Sequence, residues 1–243
     1  MPLYGWLSGQ AYLKSPFHML NEPYSVKEAW IAFDIAVQLH EAPTLDLVTF
    51  EEAWRKTYDY LAAACKILEL NRPGRISPEQ GELVRSQLGD PPIASVGIYM
   101  MSVAKQDGSQ ERCVYVGKTN ASTHRFRSGH AAITKLHAPQ YDGLRKTLYV
   151  GSLAFEDDDD HTFWVEWTHP AERRLVLMSV VEDTLISWLK PELNEKNLKG
   201  SPLAGKIVVR VQNTVSKLLD AESFGDDGLI TPDCEFAPPE DEE

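Results

Sequence analysis

Cysteine, basic charge and long apolar runs are all scarce in this chain of 243 residues, and each scarcity closes off a class of protein. The three cysteines, Cys65, Cys113 and Cys234, lie far apart with no C-x-x-C spacing, which argues against a disulfide framework and against a cysteine zinc site. No apolar run is long enough to span a bilayer, and no charged start leads into an apolar signal segment. The expected compartment is therefore the cytoplasm, with no membrane partner. Lysine and arginine number 24 against 36 acidic residues, for a net charge of -12. The deficit sits at one end: Asp220–Glu243 holds ten acidic residues and no lysine or arginine, which leaves -2 on residues 1–219. A near-neutral body can still present a basic groove, because a ligand responds to the local field and not to the sum.

What is present points to an α+β chain. Residues 1–24 read as irregular. Ser25-x-x-Glu28 reads as a capping box that opens a helix through about Glu41, and Thr49-x-x-Glu52 opens a second from Phe50 to about Leu70. In the second, Trp54, Tyr58, Leu61, Cys65 and Leu68 recur at spacings of three and four and share one face. Ser77-Pro78-Glu79-Gln80 starts a third helix, with Gly89 at its end. Residues 1–90 thus read as a helical accessory region, closed by Asp90-Pro91-Pro92.

Residues 91–200 alternate in character. Val96–Gly117 contains two runs of β-formers, each with a tyrosine beside a glycine, around the polar segment Lys105–Arg112 with its Asp107-Gly108, which is a hairpin pattern. A helix over Ser122–Leu136, strands over Arg145–Phe155 and His161–Thr168, and a long helix over Pro170–Leu189 follow. Within that last helix Leu175–Met178 is apolar enough to be buried. The run Asp157–Asp160 reads as a solvated loop, and His124, His137, His161 and His169 show no paired ligand spacing. Ile207, Val211, Val215 and Leu218 predict a packing helix over 201–219. The acidic, proline-containing 220–243 reads as a disordered tail, either solubilising or imitating the charge of DNA.

The hairpin carries a resemblance. Gly97-Ile98-Tyr99 and Tyr115-Val116-Gly117 resemble the paired tripeptides of the GIY-YIG nuclease superfamily, with valine for the second isoleucine. Lys118, Arg125, His130, Glu182 and Asn194 follow in the order that family places its site residues. The resemblance spans Ile93 to about Asn197. It implies a small sheet flanked by helices, a metal-dependent DNA endonuclease, and Mg2+ (or another divalent cation such as Mn2+) as cofactor.

It also implies roles. Glu182 would be the metal ligand, and a charged glutamate inside an apolar helix calls for a metal or an arginine beside it in any case. Arg125, with Arg127 as its rival, would hold the scissile phosphate. Tyr99 would act as general base or orient water, with a relay to His130; Tyr115 would position water or phosphate, Lys118 would neutralise phosphate, and Asn194 would orient the site. DNA is the implied partner, and a homodimer would suit a palindromic target. The rival expectation is a catalytically silent nucleic-acid-binding or protein-interaction module on the same fold.

Overall fold

The computed structural model describes residues 2–13, 26–92, 94–119, 126, 130–168, 171–194, 207–220 and 222–224. It is a mixed α+β arrangement around one seven-stranded sheet of order β3-β2-β4-β1-β6-β7, with β5 paired to β4. The strands are β1 (Glu28–Gln38), β2 (Val96–Ala104), β3 (Arg112–Lys118), β4 (Arg145–Glu156), β5 (Thr162–Trp164), β6 (Val208–Asn213) and β7 (Ser223–Phe224). Around them lie α1 (Pro2–Leu7), α2 (Phe50–Ile67), α3 (Pro78–Leu88), α4 (Ala131–Lys135) and α5 (Ala171–Leu189). Neighbouring strands are antiparallel apart from β1 and β6.

The hairpin forms as the sequence predicts, and all nine residues of β2 are buried. That requires cover on both faces. Ile98 and Met100 enter a core with Trp164, Trp167 and the α5 residues Leu177, Met178, Val181 and Leu185. Tyr99, Met101 and Val103 enter a second core with Val114, Phe126, Leu136, Leu148 and Val150.

Two predicted helices are strands, and both enlarge the sheet beyond the small one expected. The first is β1. Ala29, Ile31 and Phe33 are buried while Trp30 between them is exposed, a period of two that the capping-box reading overlooked. Pairing on both sides, with β4 and β6, outweighs whatever helix preference its alanines carry. A register shift between Phe33 and Ile35 then turns the strand over, so that Ile35 and Val37 pack on the second core.

The second is β6, where the helix over 201–219 was expected. Ile207, Val209 and Val211 are buried on one side of a strand parallel to β1. Asn213 ends it. Its Oδ1 accepts from the N–H groups of Val215 (3.2 Å) and Ser216 (3.0 Å), and its Nδ2 donates to Leu218 O (2.7 Å), a side-chain-closed turn that supplants a helix. The start of the acidic segment is also structured: Asp220 Oδ1 accepts the Asn213 N–H at 3.2 Å, and β7 pairs with β6. Residues 225–243, most of the predicted tail, lie outside the described residues.

Smaller differences have local causes. Pro2–Leu7, expected to be irregular, is helix α1, whose Leu3, Trp6 and Leu7 are buried. It abuts α3 at Gly81, where a Cβ would stand 1.7 Å from Leu7 O. Helix α2 starts at its predicted cap, Thr49 accepting from Glu52 N, but buries Phe50, Ala53, Thr57, Leu61 and Ala64. Trp54 and Tyr58 sit beside that face, stacked on each other at 5.2 Å. The strand predicted over His161–Thr168 shortens to β5 and passes into a 3-10 turn, Val165–Trp167. Among the described residues, no helix is long and apolar enough to cross a membrane.

Candidate active site at the edge of β3

The second core gathers the aromatic candidates. Tyr99 and Gly117 are direct cross-strand partners, and a Cβ on Gly117 would stand 2.4 Å from Tyr99 Oη. Glycine is therefore required there for the phenol to lie across β3. Tyr99 meets Tyr115 at 5.9 Å, Phe126 edge-on at 5.2 Å and His130 edge-on at 5.7 Å. Tyr99 is fully buried, whereas Tyr115 and His130 are half-buried and form the accessible side of the cluster.

His130 lies just outside the helix on which it was expected. It is the N-cap of α4, in extended backbone, and its Nδ1 accepts the Ala132 N–H at 3.1 Å. A lone pair on Nδ1 leaves the ring proton on Nε2, which is 2.7 Å from Tyr99 Oη. The imidazole accordingly donates to the phenol oxygen, and a donor in that position favours negative charge on it.

The charged candidates line the outer edge of β3. As an edge strand it would leave backbone groups unpaired, and the segment from α5 onward satisfies them. Leu193 N donates to Val114 O (3.0 Å). The buried Asn194 amide accepts from Val116 N (2.9 Å) through Oδ1 and donates to Val116 O (2.7 Å) through Nδ2. Two residues further, Glu182 Oε1 accepts the Lys118 N–H at 3.1 Å. Lys118 Nζ lies 3.3 Å from Glu182 Oε2 and donates to Ser179 Oγ at 2.5 Å. Burial raises the Glu182 carboxyl above its ordinary range, and the Lys118 charge and hydrogen bonds pull it back.

The phenol oxygen thus rests at Gly117 and the carboxylate at Lys118, adjacent residues whose Cα atoms are about 3.8 Å apart. Six of the eight sequence candidates, Tyr99, Tyr115, Lys118, His130, Glu182 and Asn194, meet on one stretch of β3. Arg125 and Arg127 lie outside the described residues. Between them, Phe126 is buried against Tyr99.

The donor set suits a hard cation. Glu182 offers one carboxylate at a strand edge, each oxygen retaining a lone pair beside its Lys118 contact, and among the described residues no sulfur or imidazole ligand accompanies it. A single carboxylate with water and phosphate is a common arrangement for Mg2+.

Sequence reasoning overlooked one carboxylate, Glu166, and misread another, Asp157, which is buried and not part of a solvated loop. Glu166, between Val165 and Trp167, is fully buried; Ser95 Oγ donates to its Oε2 (2.8 Å), and burial pushes its carboxyl up to about 7. The signal was the one noted for Glu182, a lone acid in an apolar run. In the run Asp157–Asp160, ligand atoms of Asp157, Asp159 and His161 lie within 4.8 Å of one another. There Asp157 Oδ1 accepts the N–H groups of Asp159 (3.1 Å) and His161 (2.9 Å), and Oδ2 faces His161 Nδ1 at 3.3 Å, so the buried carboxylate closes its own loop. No family model, curated protein or solved structure matches this chain.

Proposed function

We propose that this protein is a metal-dependent DNA endonuclease of the GIY-YIG type, of restriction or mobile-element character. The observation that carries the reading is the 2.7 Å contact between His130 Nε2 and Tyr99 Oη over Gly117, with the Glu182 carboxylate held on the backbone of the next residue, Lys118. Composition and periodicity give no reason for these residues to meet, whereas phosphodiester hydrolysis does.

Hydrolysis needs a water to lose a proton, the phosphate charge to be neutralised, and the leaving oxygen to be stabilised. Tyr99 takes the first role. In its phenolate form Oη can accept a proton from water, and the His130 Nε2–H is the donor that orients it. Tyr115, half-buried on the same face, orients water or phosphate. Arg125 clamps the scissile phosphate, with Arg127 as the alternative. Glu182 is the residue that would hold Mg2+ or Mn2+, which when bound supplies charge neutralisation and polarises the phosphate. Lys118 balances the Glu182 charge, and Asn194 pins the strand on which the site is built.

The rival, a catalytically silent binding module, draws support from the same Lys118–Glu182 pair, in which the ammonium balances the carboxylate without a metal ion. Cleavage of supercoiled plasmid with and without Mg2+ separates the two. The nuclease nicks or linearises DNA only with the metal and loses this in Tyr99→Phe. Metal-independent retention of DNA without scission, unchanged by that substitution, favours the silent module.

A further inference from the structure

A cleft of about 420 Å³ opens beyond Phe126, and its lining is unusual for a chain this acidic. Among the described residues its polar side chains are Gln38, His40, Gln106, His137, Arg145 and Lys146, with no carboxylate. By contrast a 480 Å³ cavity elsewhere on the sheet includes Glu156 and Asp160 in its wall. Two carboxylates on the loops that build the basic cleft are turned to their own backbones: Glu41 Oε2 accepts from Gln38 N (3.1 Å) and Asp107 Oδ1 from Ser109 N (2.8 Å).

The cleft shares a face with the tyrosine cluster. Phe126 belongs to both, lining the cleft and packing edge-on against Tyr99. Helix α4 joins them, with His130 at its N-cap and His137 just beyond its last turn.

Resting on the nuclease reading, we propose that this cleft is the seat of the DNA backbone flanking the scissile phosphate. Arg145 and Lys146 take phosphates flanking the cut, and the Gln38 and Gln106 amides complete their hydrogen bonding. The cleft supplies affinity and register, while chemistry stays at Tyr99 and Glu182.

The test is fluorescence anisotropy of a labelled DNA duplex with the full chain in EDTA across a salt series, run beside plasmid cleavage in Mg2+. Neutralising both cations in Arg145→Gln/Lys146→Gln should lower affinity and reduce the slope of log K against log salt by about 2, and Lys146→Gln alone by about 1. Lys66→Gln, on the exposed side of α2, should leave the slope unchanged. If the double variant fails to fold by circular dichroism, the single variant decides. Cleaving wild type with unaltered slopes in the variants overturns the cleft and spares the nuclease. Reduced slopes with no scission by wild type support the cleft and remove the nuclease reading beneath it. Displacement of the duplex by micromolar pyrophosphate at constant ionic strength overturns the DNA assignment in favour of a small phosphate compound.

Discussion

Glu166 and Glu182 are both withdrawn from water, and their surroundings assign them opposite characters. Glu166 sits in the tryptophan-lined core with the Ser95 hydroxyl and backbone as its hydrogen-bond donors, and desolvation pushes its carboxyl up to about 7. Glu182 lies at the rim of the sheet, where an ammonium and a backbone N–H oppose the same desolvation. The first is a protonated structural group over much of the acid range; the second is also raised by desolvation, but an ammonium opposes the rise and the carboxylate stands at a strand edge. Burial alone therefore does not mark a functional carboxylate. What matters is whether the fold also supplies compensating charge and access.

The sharpest way to break this comparison is at Glu166. Its folded-state pKa lies above the ordinary 4.5, so the folded protein keeps a proton that the unfolded chain releases. Stability from this group is complete below about pH 4.5 and is lost as pH rises to about 7, by about 3 kcal/mol in all. Glu166→Gln removes the titration while keeping an acceptor for Ser95. Denaturant midpoints should show it up to about 3 kcal/mol more stable than wild type at pH 8 and nearly equal at pH 4.5. A pH-independent difference would mean that Glu166 stays ionised beside Arg174.

At the rim, Asn194→Ala should cost about 2 kcal/mol, because it strips the Val116 N–H and C=O of their partners. Equal stability of variant and wild type would show that water fills the edge and that Asn194 has no structural task. Gly117→Ala should cost about 1–3 kcal/mol by overpacking against Tyr99. It should lower cleavage by about 100-fold through displacement of the phenol. Crystal structures of the variant would show whether Tyr99 has moved. The smallest effect is expected from Lys118→Met. Removing the opposing charge leaves desolvation of Glu182 less compensated, so the carboxyl rises further and the acid limb of the cleavage profile moves to higher pH. An unmoved limb would separate Glu182 from that profile.

The candidate site was more legible in the sequence than the fold around it. Tyr99, Tyr115 and Gly117 stand in a hairpin whose turn chemistry and β-formers are local signals, and Glu182 announces itself as an acid in an apolar helix. Asn194 could be named but not explained, because its partner, the exposed edge of β3, exists only once the sheet is assembled. The two misread strands share a cause. In β1 a capping-box pattern, and in β6 a helical spacing of apolar residues, masked the strand, and only pairing between segments about 180 residues apart settles the period. Phe126 and the basic cleft escaped for a similar reason, since Gln38, Gln106, His137 and Lys146 come from four separate stretches of chain.

The most direct test of the nuclease reading compares wild type, Glu182→Ala and Tyr99→Phe on supercoiled plasmid, with and without Mg2+, each checked for folding by circular dichroism. Metal-dependent nicking or linearisation by wild type, abolished in both folded variants, is the predicted result. Scission that persists in either variant, or a wild type that cuts no DNA with Mg2+ or Mn2+, would contradict it.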